Sequence, residues 1–263
     1  MNTSTRTPIK TLIVGATGFC GRAITTRLAG DPHYEVTAHV RPNSSRYATA
    51  TQAWREEGVS ALSCDWGEFP DHLQADPPEL IISCIGITKH NARGSGATYA
   101  SVDSGLNLAL IEATCALSQS PMFIYISSAG VEWARWSSYL QARADVEGAL
   151  RECKLPNVIL RPSFLSGPSR DESRPLERVG ASISIGLANL MERWGLRTLA
   201  WRLRPLDAPE IAEIVAALID AHLPANSTSP ESSLSKSSPV SLSGQQRIYE
   251  LSELHQIRHA RLG

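Results

Sequence analysis

A short apolar run, Thr11-Leu12-Ile13-Val14, stops at a glycine and leads straight into Gly15-Ala16-Thr17-Gly18-Phe19-Cys20-Gly21. No other stretch constrains the fold as strongly. Glycines spaced G-x-x-G-x-x-G let a backbone leave a strand, turn tightly and enter a helix. Beyond them, Ala23, Ile24 and Leu28 recur with helical spacing over Gly21 to Leu28. A helix that starts this way offers an anion its first amide hydrogens and the positive end of its dipole. Gly15, Thr17, Gly18, Phe19 and Gly21 are therefore the expected cradle for a pyrophosphate. The spacing has one residue more than G-x-G-x-x-G, which shifts the turn.

The rest of the first 160 residues alternates strands with helices. Glu35 to Val40, Val59 to Cys64, Leu80 to Ile85, Met122 to Ile126 and Asn157 to Leu160 read as strands. Val102 to Leu117 and Tyr139 to Leu150 have helical period. Buried strands between helices imply parallel β-α-β units, and the right-handed crossover rule then leaves an α/β doubly wound parallel sheet of the Rossmann type. Further on, Ser182 to Trp201 is a helical stretch, and Asp207 is placed to cap a helix over Pro209 to His222. Arg247 to Leu251 reads as a last strand and Glu253 to Arg261 as a terminal helix. Residues 1–8 are expected to be a disordered lead-in, and 9–263 a single dinucleotide-binding domain. Within it, 164–222 would form a small substrate-side or lid region, the Ser-rich 226–243 a disordered loop, and 246–261 the closing strand and helix.

Composition excludes several classes. Lys+Arg 25 against Asp+Glu 26 leaves no basic excess to hold a phosphate backbone, so no nucleic-acid partner is expected. No apolar run approaches the ~18 residues of a membrane span. The first residues, MNTSTRTPIK, lack an apolar signal core; their Arg6 and hydroxyls only faintly resemble a transit peptide. The five cysteines are odd in number and form no C-x-x-C pair. That speaks against a disulfide framework or a zinc site and for a reducing compartment, the cytoplasm. No metal site is expected.

The acidic residue that would bind a ribose 2′-hydroxyl is due ~20 residues beyond the glycine loop. Arg41 stands there instead. A guanidinium matches phosphate oxygens in a fork, which favours NADP(H) over NAD(H), with Arg22, Ser44, Ser45 and Arg46 near enough to help. A solvated strand-end charge is the plainer alternative. Asp65, past the third strand, can accept from an adenine amino group or simply start a loop.

With these stretches in view, the chain resembles the atypical and extended short-chain dehydrogenases/reductases, within them the Tat-interacting oxidoreductase-like NADPH-binding branch. The resemblance rests on Gly15 to Gly21, Ser83-Cys84-Ile85-Gly86-Ile87-Thr88, Ile126-Ser127-Ser128-Ala129-Gly130-Val131, and Leu160-Arg161-Pro162-Ser163 continuing through Asp171-Glu172-Ser173-Arg174-Pro175. It implies a catalytic Ser at Ser127 and a proton-donating Tyr at Tyr139. Four residues after the Tyr it expects a Lys, and this chain has Arg143. The Lys of the family lowers the Tyr pKa, bonds the nicotinamide ribose and relays a proton. Arg143 keeps the charge and the donors but holds its proton too tightly for a relay. The resemblance also implies cofactor contacts at Gly86, Ile87 and Thr88 for the ribose, at Tyr139 and Arg143, and at Pro162 and Ser163 beside the nicotinamide ring.

Weaker candidates surround these. Asn107 can orient backbone or a water, His90 can face a substrate or only solvent, and Trp133 and Trp136 can wall an apolar pocket or pack on the sheet edge. The leading expectation is an NADPH-dependent reductase acting on a carbonyl or conjugated double bond of a small apolar molecule. A redox-neutral enzyme on the same scaffold and a non-catalytic NADPH-sensing regulator compete with it. Members of the fold often form homodimers, which is the expected state if this chain assembles.

Overall fold

The structure is a computed structural model that describes residues 7–86, 98–162, 206–223 and 246–262. The stretches 164–205 and 226–243, with Ile87, Thr88, His90 and Ser163, lie outside the described residues.

Among the described residues seven strands form one sheet: β1 (Ile9–Val14), β2 (Tyr34–Val40), β3 (Ser60–Ser63), β4 (Leu80–Ser83), β5 (Met122–Ile126), β6 (Asn157–Leu160) and β7 (Gln246–Tyr249). Their order across the sheet is β3-β2-β1-β4-β5-β6-β7, and every neighbouring pair is parallel. The order reverses between β1 and β4. That is the switch point where a crevice opens beyond the carboxyl ends of the strands.

Among the described residues seven α-helices flank the sheet: α1 (Phe19–Ala29), α2 (Tyr47–Glu56), α3 (Phe69–Ala75), α4 (Asn107–Cys115), α5 (Ser138–Glu152), α6 (Ala208–His222) and α7 (Leu251–Leu262). A π-helical segment, Ala100–Leu106, runs directly into α4, and a 3-10 segment, Val131–Trp136, precedes α5. The two-residue period of each central strand divides the core. Ile13, Ile82, Ile124 and Val158 face one layer with Ile24, Leu28, Ile211 and Val215 of α1 and α6. Leu12, Ile81, Phe123 and Ile159 face the other with Phe69, Leu110, Val146 and Leu150 of α3, α4 and α5. Burial on both faces is why β4 and β5 are apolar without alternation.

Local signals explain several boundaries. Asp207 and Glu210 form a reciprocal capping box at α6, each side chain accepting the other's amide at 2.9 Å. The helix expected over Val102 to Leu117 is interrupted because the Asn107 amide donates to the Asp103 carbonyl at 2.6 Å. A side chain inserted into the helical ladder widens it to the π form. The last strand ends at Tyr249, and Leu251 already opens α7.

One expectation is corrected here. Cys115, at the end of α4, and Cys153, just past α5, form a disulfide. They are 38 residues apart, so no spacing rule could couple them. Packing of α4 alongside α5 brings them together. Cys20, Cys64 and Cys84 are free thiols.

Candidate functional site

The glycine loop sits at the switch point. Gly15 has φ +81°, and a Cβ there would lie 2.7 Å from the Cys84 carbonyl group beyond β4. Only glycine allows the first loop to pass this close to the end of the neighbouring strand. The Gly18 amide donates to the Gly15 carbonyl at 2.9 Å, closing the turn. Gly18 then caps α1 with extended backbone, no side chain accepts from the first turn, and no acidic residue lies in it. This helix end suits an anion, so the residues present fit a dinucleotide pyrophosphate. Thr17 and Phe19 are half-buried along the same loop, and Gly21 lies inside the first turn.

The loop after β2 comes back to this cradle. Arg41 is exposed just beyond β2, and its carbonyl accepts the Ser44 amide at 3.0 Å. A second turn follows, and the Arg46 guanidinium donates to the Thr17 carbonyl at 2.9 Å. The Arg46 guanidinium therefore lies at the edge of the glycine loop, and Arg41 stands five residues earlier, just past β2. Asp65 is exposed at the first residues after β3, where its carbonyl accepts the Glu68 amide. Nearby, His39 is buried, bonded to the Cys64 carbonyl at 3.0 Å and packed edge-on against Trp66 and Phe69. Burial lowers its pKa below the ordinary imidazole value, against the pull of that bond.

A second cluster forms at the carboxyl ends of β4 and β5. Arg143, on α5, is 6% exposed. One terminal nitrogen donates to the Ile85 carbonyl, the Tyr125 hydroxyl and the Ile126 carbonyl at 3.2, 3.0 and 3.1 Å. The other pairs with Asp103 at 2.7 Å. A Cβ on Gly86 would run into that second nitrogen, so glycine leaves room for the guanidinium. Burial disfavours the Arg143 charge, but Tyr125, Tyr139 and Asp103 together hold its pKa above the ordinary value. Burial likewise pushes the Tyr125 hydroxyl up to about 12, although Arg143 pulls it down. Tyr139 is half-buried, one helical turn from Arg143, with the guanidinium carbon 5.3 Å from its ring centroid. The Tyr99 ring packs edge-on against it at 5.3 Å.

Ser127 and Ser128 behave differently. Ser127 is buried, and its hydroxyl donates to the Glu147 carboxylate at 2.6 Å. Glu147 is also gripped by Arg161, at 3.0 Å from Nε and 2.5 Å from a terminal nitrogen, and Arg161 continues to Glu250 at 2.6 Å. This chain of charges joins the ends of β5, β6 and β7 to α5. Ser128 is half-buried, and its hydroxyl donates to the neighbouring Ala129 carbonyl at 3.2 Å. Pro162 is buried, and its carbonyl accepts the Ala129 amide at 2.8 Å, so the β6 end lies against the serine pair. Asn107 is buried and accepts from Ser83 at 2.5 Å, which fixes the π-helical segment to the end of β4. Trp133 and Trp136 are exposed in the 3-10 segment between the serines and Tyr139.

Gly15, Thr17, Gly18, Phe19, Gly21, Gly86, Ser127, Tyr139, Arg143 and Pro162 thus all lie along the carboxyl edge of the sheet. Sequence reasoning missed Asp103, Tyr125, Glu147 and Arg161 as partners. A signal existed for Glu147, which falls one turn after Arg143 on the same helix face. Among the described residues no group of His, Cys, Asp and Glu is arranged to hold a metal ion.

A parallel sheet with this order and a glycine loop at its switch point defines a Rossmann-type dinucleotide-binding protein. The chain belongs to the NAD(P)H-binding family, whose model matches residues 15–183. That match supports a cofactor of the nicotinamide class. Protein fmp-52 of Neurospora crassa, named a mitochondrial protein, is 28% identical over 73% of this chain and 77% of its own length. Among solved structures, actinorhodin polyketide ketoreductase with NADPH has a TM-score of 0.57 at 14% identity, covering 81% of this chain and 90% of that one. UDP-glucuronic acid 4-epimerase from Bacillus cereus in complex with NAD has a TM-score of 0.55 at 16% identity, covering 81% and 73%. These likenesses establish the shared fold.

The cytoplasmic expectation is corrected by the relatives: five fungal proteins that match this chain all carry "mitochondrial" in their names. No helix among the described residues is long and apolar enough to cross a membrane.

Proposed function

We propose that the protein is an NADPH-dependent oxidoreductase of the atypical short-chain type, reducing a carbonyl or conjugated double bond of a small apolar molecule in the mitochondrion. The observation that carries this reading is a half-buried tyrosine, Tyr139, beside the Arg143 guanidinium at the end of the sheet where the glycine loop opens. When bound, the nicotinamide supplies the hydride. Tyr139 donates the proton to the substrate oxygen, and the Arg143 charge favours the tyrosinate left behind. The serine pair divides its work: Ser127 anchors the strand end through Glu147, and Ser128, with its weaker neighbour bond, turns its hydroxyl to the substrate oxygen. Arg41 reads the 2′-phosphate, with Arg46 holding the edge of the loop. Gly86, Ile87, Thr88, Pro162, Ser163 and Asp65 are the further residues we assign to the cofactor.

The test is consumption of NADPH across a panel of apolar ketones, aldehydes and enones. Tyr139→Phe should lower turnover by roughly 10²–10⁴-fold while leaving NADPH binding intact. Equal turnover in the variant sinks the assignment. One observation favours a second reading. The Arg143 terminal nitrogens are committed to four fixed acceptors, so proton relay through this position is closed. A redox-neutral enzyme that keeps its nicotinamide would tolerate that, and it would convert substrate with no net loss of NADPH.

A further inference from the structure

We propose that the Cys115–Cys153 bridge is a redox switch for the nucleotide site: closed, it holds α4 and α5 together, and opened by a thiol reductant, it weakens binding of the nicotinamide nucleotide. The bridge closes a loop that runs through β5, the serine pair, the 3-10 segment and α5. Ser127, Ser128, Tyr139 and Arg143 all lie inside that loop. Cys115 is the last residue of α4, and Cys153 caps the end of α5. The opposite ends of the same two helices reach the site. There Asp103, in the π-helical segment that runs into α4, pairs with Arg143 of α5 at 2.7 Å. At 1.5 Å per residue, Cys153 stands about 15 Å along α5 from Arg143. The two helices are thus tied twice, by an ion pair at the site and by a covalent bond remote from it.

The surroundings suit opening without unfolding. Cys115 is exposed and Cys153 half-buried, so a reductant can reach the sulfurs. Val146 and Leu150 of α5 stay fully buried in the apolar layer with Leu110 of α4. The Asn157 amide donates to the Leu150 and Leu155 carbonyls at 3.1 Å each, which fastens the end of α5 to β6. Opening the bridge therefore leaves α5 attached to β6 and frees its far end from α4. The electrons come from two molecules of a monothiol such as glutathione. One thiolate attacks the Cys115 sulfur, and Cys153 leaves and takes up a proton. The second thiolate attacks the mixed disulfide on the glutathione sulfur, and Cys115 leaves and takes up a proton. The products are two protein thiols and one oxidised glutathione. Once α5 can shift against α4, fewer molecules hold an assembled site, and the apparent affinity falls by that fraction. Linkage makes the effect reciprocal, so bound nucleotide favours the closed bridge by the same factor.

The experiment equilibrates the full chain in glutathione buffers of stepped potential and counts alkylated Cys115 and Cys153 by mass spectrometry. NADP, which has no hydride to give, is the binding probe, titrated calorimetrically into the oxidised and the reduced protein. The reduced form should bind about tenfold more weakly. Saturating NADP should then move the bridge midpoint by about 30 mV toward more reducing potential, the same tenfold for a two-electron couple. Cys153→Ser should bind as the reduced parent does, with or without reductant. Equal affinity in the two redox forms, or a bridge that opens only together with global unfolding, overturns the proposal. If Cys153→Ser does not fold, the chemically reduced parent decides. Hydrogen exchange supplies a readout that needs no nucleotide: reduction should speed exchange over residues 138–152 and leave β1 and β4 unchanged. If the oxidised parent binds no NADP, the cofactor reading fails by itself, and exchange still judges the switch, with unchanged rates over 138–152 overturning it.

Discussion

Replacing Cys115 by Ser should cost the protein several degrees of thermal stability, and the amount can be worked from the chain. The Cys115–Cys153 bridge closes a loop of 38 residues. The chain-entropy relation puts the stabilisation of such a loop at about 3.9 kcal/mol near room temperature. Unfolding entropy of ~2.1 cal/mol/K per residue gives about 0.55 kcal/mol/K for a chain of this length, so the loss corresponds to ~7 °C in Tm. The bridge lies where a reductant can reach it, since Cys115 is exposed and Cys153 half-buried. The assay is a melting curve of the parent and of Cys115→Ser, each with and without a phosphine reductant. The parent should fall to the variant's Tm on reduction, and the variant should not move. Thiol counting in denaturant should find three free thiols in the unreduced parent, from Cys20, Cys64 and Cys84. Five free thiols, or a variant as stable as the oxidised parent, would refute the reasoning.

Other consequences can be checked separately. Glu147→Gln removes the buried carboxylate from the half-buried Arg161, leaving it Glu250 as its charge partner among the described residues, and it should destabilise by about 3 kcal/mol, or ~5 °C in Tm. Arg41→Ala should weaken NADPH binding by roughly tenfold to a hundredfold and leave NADH binding unchanged, read by isothermal titration. His39 is held neutral in the folded state, so its pKa lies below the ordinary 6.5 while the unfolded chain protonates normally. That contribution to stability is complete above the ordinary value and is lost as pH falls below it. His39→Gln should therefore show a smaller drop in Tm between pH ~7 and ~5 than the parent, and an equal drop would contradict the burial argument.

Much of the scaffold was legible because its signals are local. The glycine loop, the buried runs at β4 and β5 and the Asp207 cap each lie within a few residues, and each fell where expected. Helices α2 and α3 carried weaker patterns: α2 buries only Trp54, and α3 only Phe69 and Leu73. The break between the π-helical segment and α4 depends on one side-chain bond from Asn107, which periodicity does not report. The sequence named positions that the fold gathers near the strand ends, but it did not report their partners. That Arg143 stands in the Lys place followed from the resemblance to the reductase family. That Asp103, 40 residues earlier, would pair with it could not be read, because the pairing depends on how α5 packs against the π-helical segment. The same holds for Cys115 with Cys153 and for Arg161 with Glu147. Ser127 and Ser128 look alike in sequence, and the sheet edge alone separates an anchored hydroxyl from a more accessible one.

The central claim is that this chain binds NADPH at the glycine loop and reads its 2′-phosphate through Arg41. Melting curves with NADPH, NADP, NADH and NAD test it most directly. Ligand at ~100 times its dissociation constant stabilises the native state by ~2.7 kcal/mol, which here is ~5 °C. The account predicts that rise with NADPH and NADP, and at most a small fraction of it with NADH and NAD at the same concentration. Equal shifts with all four would contradict the role of Arg41, and no shift with any would contradict the cofactor site itself.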